Sequence, residues 1–233
     1  MTCIDVFRCR RGCTQISRWI RFSRPREVIE ALRLDDLTVA APDGPVRVSV
    51  RVEPGQLGAI VLPPLGARAV ARVVAGLAGP RSGRVFVGAR EVTSLPPSRR
   101  QIGYVPAGGG LLPHLTVRRN MEYGLRHRER VHVVAEDWVR ELTDRLELRA
   151  TLDLRPHHLS DAQRLRAALA RAAACLPEAM VLDLPAAAGG AEHLADLVPK
   201  VSPTGAPGVA VLVCTADPAV LSQIAVRATV VTG

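Results

Sequence analysis

Few side chains in this sequence are equipped for chemistry, and one type is nearly missing. Lys200 is the only lysine among 31 basic residues. A Schiff base, a phosphate-loop lysine or a kinase lysine would have to be Lys200 or be absent. Cys3, Cys9 and Cys13 lie close together, but their spacing matches no common zinc pattern and no histidine is near, so no metal site is assigned. Asp183 follows the apolar run Met180-Val-Leu, where a lone Asp serves as a cap or turn residue. Ser160 precedes an Ala-rich stretch, with Gln163 three residues on, a pair able to start a helix without any ligand. Residues 62–70, Leu-Pro-Pro-Leu-Gly-Ala-Arg-Ala-Val, read as a strand–loop–helix corner. Gly66 is the only residue of that corner suited to unusual backbone angles, and Arg68 is its only cation.

The elements that must position these residues follow from patterning. Residues 32–39 and 46–52 alternate like strands around the turn signal Asp43-Gly44, which predicts a hairpin. Residues 58–62 form a short apolar run, 70–77 read as a helix with Gly76 near its end, and 84–87 as a strand. Residues 96–100 read as a loop, 102–105 as a strand, and Gly108-Gly-Gly110 as a flexible link. Helical stretches are expected over 116–125, over 134–148 with Val139, Leu142 and Leu146 on one face, and after Ser160 to Ala174. Residues 180–184 and 209–213 read as buried strands, and 226–231 as a closing one. Alternating strands and helices predict an α/β fold with a mostly parallel sheet and an antiparallel lobe in front. There is no internal repeat.

Composition sets bounds. The 233 residues fit one domain, or one with a small lobe. With 48% hydrophobic and 23% charged residues the chain can bury a core. At 3% aromatics, Ala, Val and Leu must build it. The net charge of +9 attracts polyanions, although the basic residues are spread along the chain. Only the first 30 residues concentrate them, with seven Arg against three acids. Residues 16–22 there, with Trp19, Ile20 and Phe22 beside Arg18 and Arg21, read either as a basic helix on a membrane surface or as a tail. The five cysteines are an odd count and no segment resembles a cleavable signal, so a reduced, cytoplasmic chain is expected. No apolar run reaches the roughly 18 residues of a membrane span.

Three stretches resemble the ATP-binding subunits of ABC transporters, above all the import-type subunits that serve sugars, polyamines, molybdate or sulfate. The first is Val74-Ala-Gly-Leu77 followed by Pro80-Arg-Ser-Gly-Arg-Val85. The second is Arg99-Arg-Gln-Ile-Gly-Tyr-Val105, then Leu111-Leu-Pro-His-Leu-Thr-Val117 and Asn120. The third is Pro156-His-His-Leu-Ser160, Gln163, Arg166, Ala168-Leu-Ala-Arg171, and Val181-Leu-Asp183 with Pro185. The resemblance runs from about residue 32 to 233. It implies a P-loop NTPase-like fold with a helical lobe at about 106–165, behind a basic extension at 1–31. It also implies ATP and Mg²⁺ as ligands, permease subunits and a second ATP-binding subunit as partners, and a place on the inner face of the cell membrane.

The positions through which the family handles ATP are altered. Its phosphate loop, G-x-x-x-x-G-K-S/T, cradles phosphate with backbone N–H groups, a lysine and a Mg²⁺-binding hydroxyl. Here Pro63 and Pro64 have no N–H, and no Ser or Thr occurs between Ser49 and Ser82. The segment is one residue short, so Ala67 or Arg68 stands for the lysine, depending on where the gap falls. Arg68 is not a like-for-like substitute. Leu184 follows Asp183 where the family has a glutamate, and losing a general base commonly costs roughly 10²–10⁴-fold in rate. Ala216, Ala107 and Ala41 stand where the family has a switch histidine, a glutamine and a stacking aromatic, and Gly190 stands for an aspartate. The signature L-S-G-G-Q reads Leu159-Ser-Asp-Ala-Gln163, and Asp161 sets a carboxylate where a glycine N–H should face phosphate.

The expectation is therefore a degenerate subunit, deficient in hydrolysis, that holds ATP and Mg²⁺ weakly or not at all. Any residual nucleotide contacts would come from Gly66, Arg68, Asp183, Ser160 and Gln163, and no residue is assigned as catalytic. Two alternatives stand beside it: a weakly active subunit with atypical motifs, and a non-transport scaffold using its basic surface. No helix-turn-helix, RNA-binding signature or aromatic–basic interleaving supports nucleic acid as the partner.

Overall fold

The computed structural model describes residues 32–123, 125, 132–184, 193–219, 226–227 and 229–232. The basic stretch 1–31 with its three cysteines, Pro185 and Gly190 lie outside the described residues.

The hairpin forms as its alternation predicts. Strand β1 (Leu32–Ala41) pairs antiparallel with β2 (Gly44–Val52), turning at Asp43-Gly44. Two acidic residues interrupt the alternation of β1, and a bulge between Leu34 and Leu37 corrects for them. With Asp36 at φ 47°, Leu34 and Leu37 both face the core. The Asp36 carboxylate accepts from Arg47 Nε (3.2 Å) and Ser49 Oγ (3.2 Å), which hold its carboxyl below the usual range. Opposite the bulge, Gly83 has φ 84°, and a Cβ there would sit 2.3 Å from the Asp36 carbonyl oxygen. No other residue fits. Strand β4 (Ser82–Val87) pairs with β1, and β5 (Arg90–Glu91) with β4.

The second sheet is parallel, in the order β6-β7-β8-β3-β9. It comprises β3 (Leu57–Val61), β6 (Ile102–Val105), β7 (Ala179–Leu184), β8 (Ala210–Thr215) and β9 (Val226–Arg227). Every residue of β7 and β8 is buried, as expected for strands covered on both faces. One face, with Ile60, Val181 and Leu212, packs with Val70, Ala71 and Val74 of helix α1 (Pro64–Val74) and with the antiparallel sheet. The other face, with Met180, Leu182 and Val213, packs on the helices α3 (Val117–Tyr123), α4 (His132–Arg145), α5 (Asp161–Ala173) and α6 (Leu194–Leu197). Trp138 is the only aromatic among the described buried hydrophobic residues, in line with a core of Ala, Val and Leu. Among the described residues no helix is long and apolar enough to cross a membrane.

Three elements differ from the sequence reading. Helix α1 begins at Pro64, six residues before the expected 70, because a proline in the first helical position has its φ preset and loses no helical hydrogen bond. It ends as expected near Gly76, whose φ of 82° lets Gly76 N–H donate to Val73 O and Leu77 N–H to Arg72 O. Residues 97–100 form a short helix, α2 (Pro97–Arg100), and not a loop, again started by a proline. The single closing strand over 226–231 is two. β9 joins β3 in the parallel sheet, and β10 (Thr229–Thr232) joins β2 in the antiparallel one.

Candidate functional site

The corner between β3 and α1 is short. Strand β3 ends at Val61 and α1 starts at Pro64, so only Leu62 and Pro63 connect them. Leu62 is buried and its N–H donates to Thr215 O at 2.9 Å, tying the link to β8. Pro63 and Pro64 have no N–H, and the Ala67 N–H already donates to Pro63 O at 3.0 Å. Gly66 lies in the first turn of α1, packed over Leu62 and Val46. Its backbone is helical, so it does not supply the unusual angles expected of it. A Cβ there would meet Val46 Cγ2 at 3.5 Å, an ordinary contact, so the space does not demand glycine either.

Arg68 and Asp183 come together. Arg68 is on the second turn of α1, and helical side chains lean toward the N-terminus. Its Nε lies 3.5 Å from Asp183 Oδ2, with the Arg68 side chain 54% exposed and the Asp183 side chain 8% exposed. Burial pushes the Asp183 carboxyl up. The Arg68 guanidinium, the Ala107 backbone N–H and Arg72 oppose that rise. Tyr104 is half-buried nearby, and its phenol is pushed up by burial and then by the Asp183 charge. Cys214 pairs in register with Asp183 and is buried beneath it, with its thiol pushed up by burial and by the same charge. Tyr104, Arg72 and Cys214 were not legible as neighbours of Asp183. Only the register of β6, β7 and β8 places Tyr104 opposite Val181 and Cys214 opposite Asp183.

Leu184 points the other way. It is buried within the cluster of Leu182, Val213 and the helices behind the sheet. No hydroxyl in α1 faces Asp183, and the Thr215 Oγ1 at the end of β8 accepts from Asp217 N–H at 3.1 Å. The residues present therefore do not supply the run of N–H groups, the hydroxyl and the unengaged carboxylate that a Mg²⁺–nucleotide needs.

Ser160 and Gln163 meet each other at the start of α5, which packs on the opposite face of the parallel sheet from α1. Ser160 Oγ accepts from Gln163 N–H at 3.2 Å, and Gln163 Oε1 accepts from Ser160 N–H at 3.0 Å. Asp161 pairs with Arg164 at 2.9 Å. This reciprocal cap satisfies two orphan donors with no ligand. Ser160→Ala should lower stability by about 1 kcal/mol, or roughly 2–4 °C in a thermal melt followed by circular dichroism.

A parallel sheet with α1 following β3, an inner strand between β8 and β9, an antiparallel sheet in front and helices behind is the architecture of a P-loop NTPase. Residues 46–187 match the ABC transporter family. The chain belongs to that family and carries its ATP-binding domain. It is 40% identical over 147 residues to the molybdate/tungstate import ATP-binding protein WtpC of Archaeoglobus fulgidus, covering 62% of this chain and 60% of that one. To the sulfate/thiosulfate import ATP-binding protein CysA of Synechococcus elongatus it is 39% identical over 151 residues, covering 64% of this chain and 44% of that protein. The chain spans about half the length of the curated relatives it matches. Among solved structures, a Clostridium perfringens protein described as part of the ABC transporter complex cbiONQ aligns with TM-score 0.64 at 17% identity. That alignment covers 86% of this chain and 87% of the other. A dimeric bacterial ABC transporter cassette aligns with TM-score 0.63 at 20% identity, covering 84% of this chain and 94% of the other. These two likenesses establish the fold alone.

Proposed function

We propose that this chain is a degenerate ATP-binding subunit of an ABC import system. It is deficient in hydrolysis, docks on permease subunits at the inner face of the cell membrane, and supports assembly or regulation of transport. Residues 32–233 form the ATP-binding-type unit, with 106–165 as its helical lobe, and a copy of itself or another ATP-binding subunit is its partner. The observation that carries this reading is the two-residue link between β3 and α1, which leaves no loop to cradle phosphate. ATP and Mg²⁺ are accordingly held weakly or not at all.

The scaffold on the other face of the parallel sheet supports the docking half of the reading. Asn120 is fully buried and bonds four times to the segment before α3. Its Oδ1 accepts from Leu112 N–H at 2.7 Å. Its Nδ2 donates to the carbonyls of Leu112, Leu115 and Thr116 at 3.2, 3.2 and 3.0 Å. This is the segment that, by family resemblance, leads into the lobe that meets the membrane subunit. A sequence released from all constraint has no reason to keep such a fully satisfied network while losing the phosphate loop elsewhere in the fold.

Two measurements test the reading. The purified full chain with ATP·Mg²⁺ should release no phosphate above the protein-free blank, and steady turnover would overturn the deficiency. If turnover occurred, an unchanged rate in Asp183→Asn would show that Asp183 does not carry it. Co-expression with the permease subunits of an ABC import system from the same cell should yield a complex that survives membrane purification. Failure to co-purify with any of them would remove the docking role.

A further inference from the structure

We infer that Arg68 is the resident cation of this corner. Its guanidinium neutralises Asp183 at the point where the family's ATP-binding subunits bring a divalent ion, so the site is complete without metal or nucleotide. This deepens the proposed function and rests on it.

The chemistry of Asp183 requires a cation. Its side chain is 8% exposed at the end of an otherwise apolar strand, and a buried carboxylate without compensation is costly. Arg68 Nε at 3.5 Å and the Ala107 N–H supply that compensation from within the chain. Arg72, one turn further along α1, adds a second positive charge that acts on both Asp183 and Tyr104. An arginine carries its charge at every physiological pH, so this neutralisation is permanent, unlike that from a dissociable ion. An arriving divalent cation would find the carboxylate already engaged by the Arg68 guanidinium, which repels it at close range; with Arg68 gone, the carboxylate and waters could hold it.

The fixed geometry of α1 holds the pair in place. The Leu62 N–H bond to Thr215 O pins the start of the helix to β8, and β8 pairs with β7 in register at Asp183 and Cys214. The tether that brings Arg68 to Asp183 is thus the same short link that removes the phosphate loop. One change in the chain accounts for both.

The test uses Mn²⁺ alone as the probe on the full-length chain, read by electron paramagnetic resonance and by thermal melts. The wild type should bind no Mn²⁺ at millimolar concentration, and its Tm should not move with Mn²⁺ or with ATP·Mg²⁺. Arg68→Ala should melt roughly 3 °C lower, bind Mn²⁺, and recover stability when Mn²⁺ is added. Arg68→Gln, which keeps the stem packed on α1, should behave in the same direction. The double variant Arg68→Ala/Asp183→Asn should bind no Mn²⁺ and melt above Arg68→Ala, because the uncompensated carboxylate is gone. Mn²⁺ binding by the wild type as strong as that of Arg68→Ala would overturn the inference. So would an Arg68→Ala protein that melts like the wild type and ignores Mn²⁺. Either outcome leaves permease docking standing, whereas only steady phosphate release by the wild type removes the hydrolysis-deficient reading.

Discussion

Arg100→Met is expected to lower the melting temperature by roughly 6–12 °C, taking about 3 kcal/mol of lost stability at 2–4 °C per kcal/mol. Arg100 is 3% exposed, and among the described residues its side-chain hydrogen bonds all go to backbone carbonyls. Those carbonyl oxygens face its charge. Nε donates to Leu95 O at 2.7 Å, one terminal nitrogen to Val73 O and Val74 O at 2.8 and 3.0 Å, and the other to Thr93 O at 2.6 Å. Val73 and Val74 are the last residues of α1, so the guanidinium sits at the negative end of that helix. Burial pulls its pKa down, yet the group stays charged at neutral pH. Methionine fills much of the volume but takes the guanidinium from four carbonyls; Val73 O keeps the Gly76 N–H, while those of Val74, Thr93 and Leu95 lose this donor, and each buried orphan is costly. Lysine should not rescue the loss, since one ammonium cannot span a fork of donors set for two segments. Calorimetric melts of the three proteins decide this. A lysine variant as stable as the wild type would show that charge alone matters. Because α1 also carries Arg68, loosening its C-terminal end should weaken the Arg68–Asp183 pair as well.

Arg100 also shows where sequence reading stops. It lies in a segment with clear family resemblance, and its residue type suggests a solvated cation. The four carbonyls that fix it come from two separate stretches, 73–74 and 93–95, and the fold brings the first of them to Arg100. The hairpin and the two apolar strands β7 and β8 were legible because their periods and composition are unambiguous. The start of α1 was not, because residues 62–70 read as a strand–loop–helix corner, whereas at the first helical position proline is accommodated and the helix starts at Pro64. Likewise the residues 226–231 form one apolar run, and nothing local reveals that the chain passes from one sheet to the other within it. At the candidate site, Asp183 and Arg68 were legible as residue types but not as a pair. Their meeting depends on the length of the β3–α1 link, which shifts where α1 begins and therefore which way Arg68 projects.

Leu184→Glu, the substitution that restores the family's glutamate in name, is expected to destabilise the protein by about 4 kcal/mol, or roughly 8–16 °C in Tm. It should leave phosphate release at the blank. Strand alternation decides both outcomes. In β7, Asp183 shares a face with Cys214 and Ile60 toward α1, while Leu184 turns into the apolar cluster behind the sheet, where it is 5% exposed. A glutamate there loses the leucine's packing and sets a carboxylate among Leu182, Val213 and their neighbours. Its folded-state pKa would be raised by that burial. The penalty should therefore be smallest below the unfolded value of about 4.3 and grow as pH rises through it toward the raised folded value. Leu184→Met, which preserves volume and polarity, should cost under about 1.5 kcal/mol. Melts of the three proteins at pH 4.5 and 7, with phosphate release measured beside them, separate the effects. A glutamate variant that turns over ATP would mean that α1 can present phosphate-binding groups despite Pro63 and Pro64. A glutamate that is inert and destabilising, at a position aligned with the family's base, would locate the obstacle in the missing loop and not in the missing carboxylate.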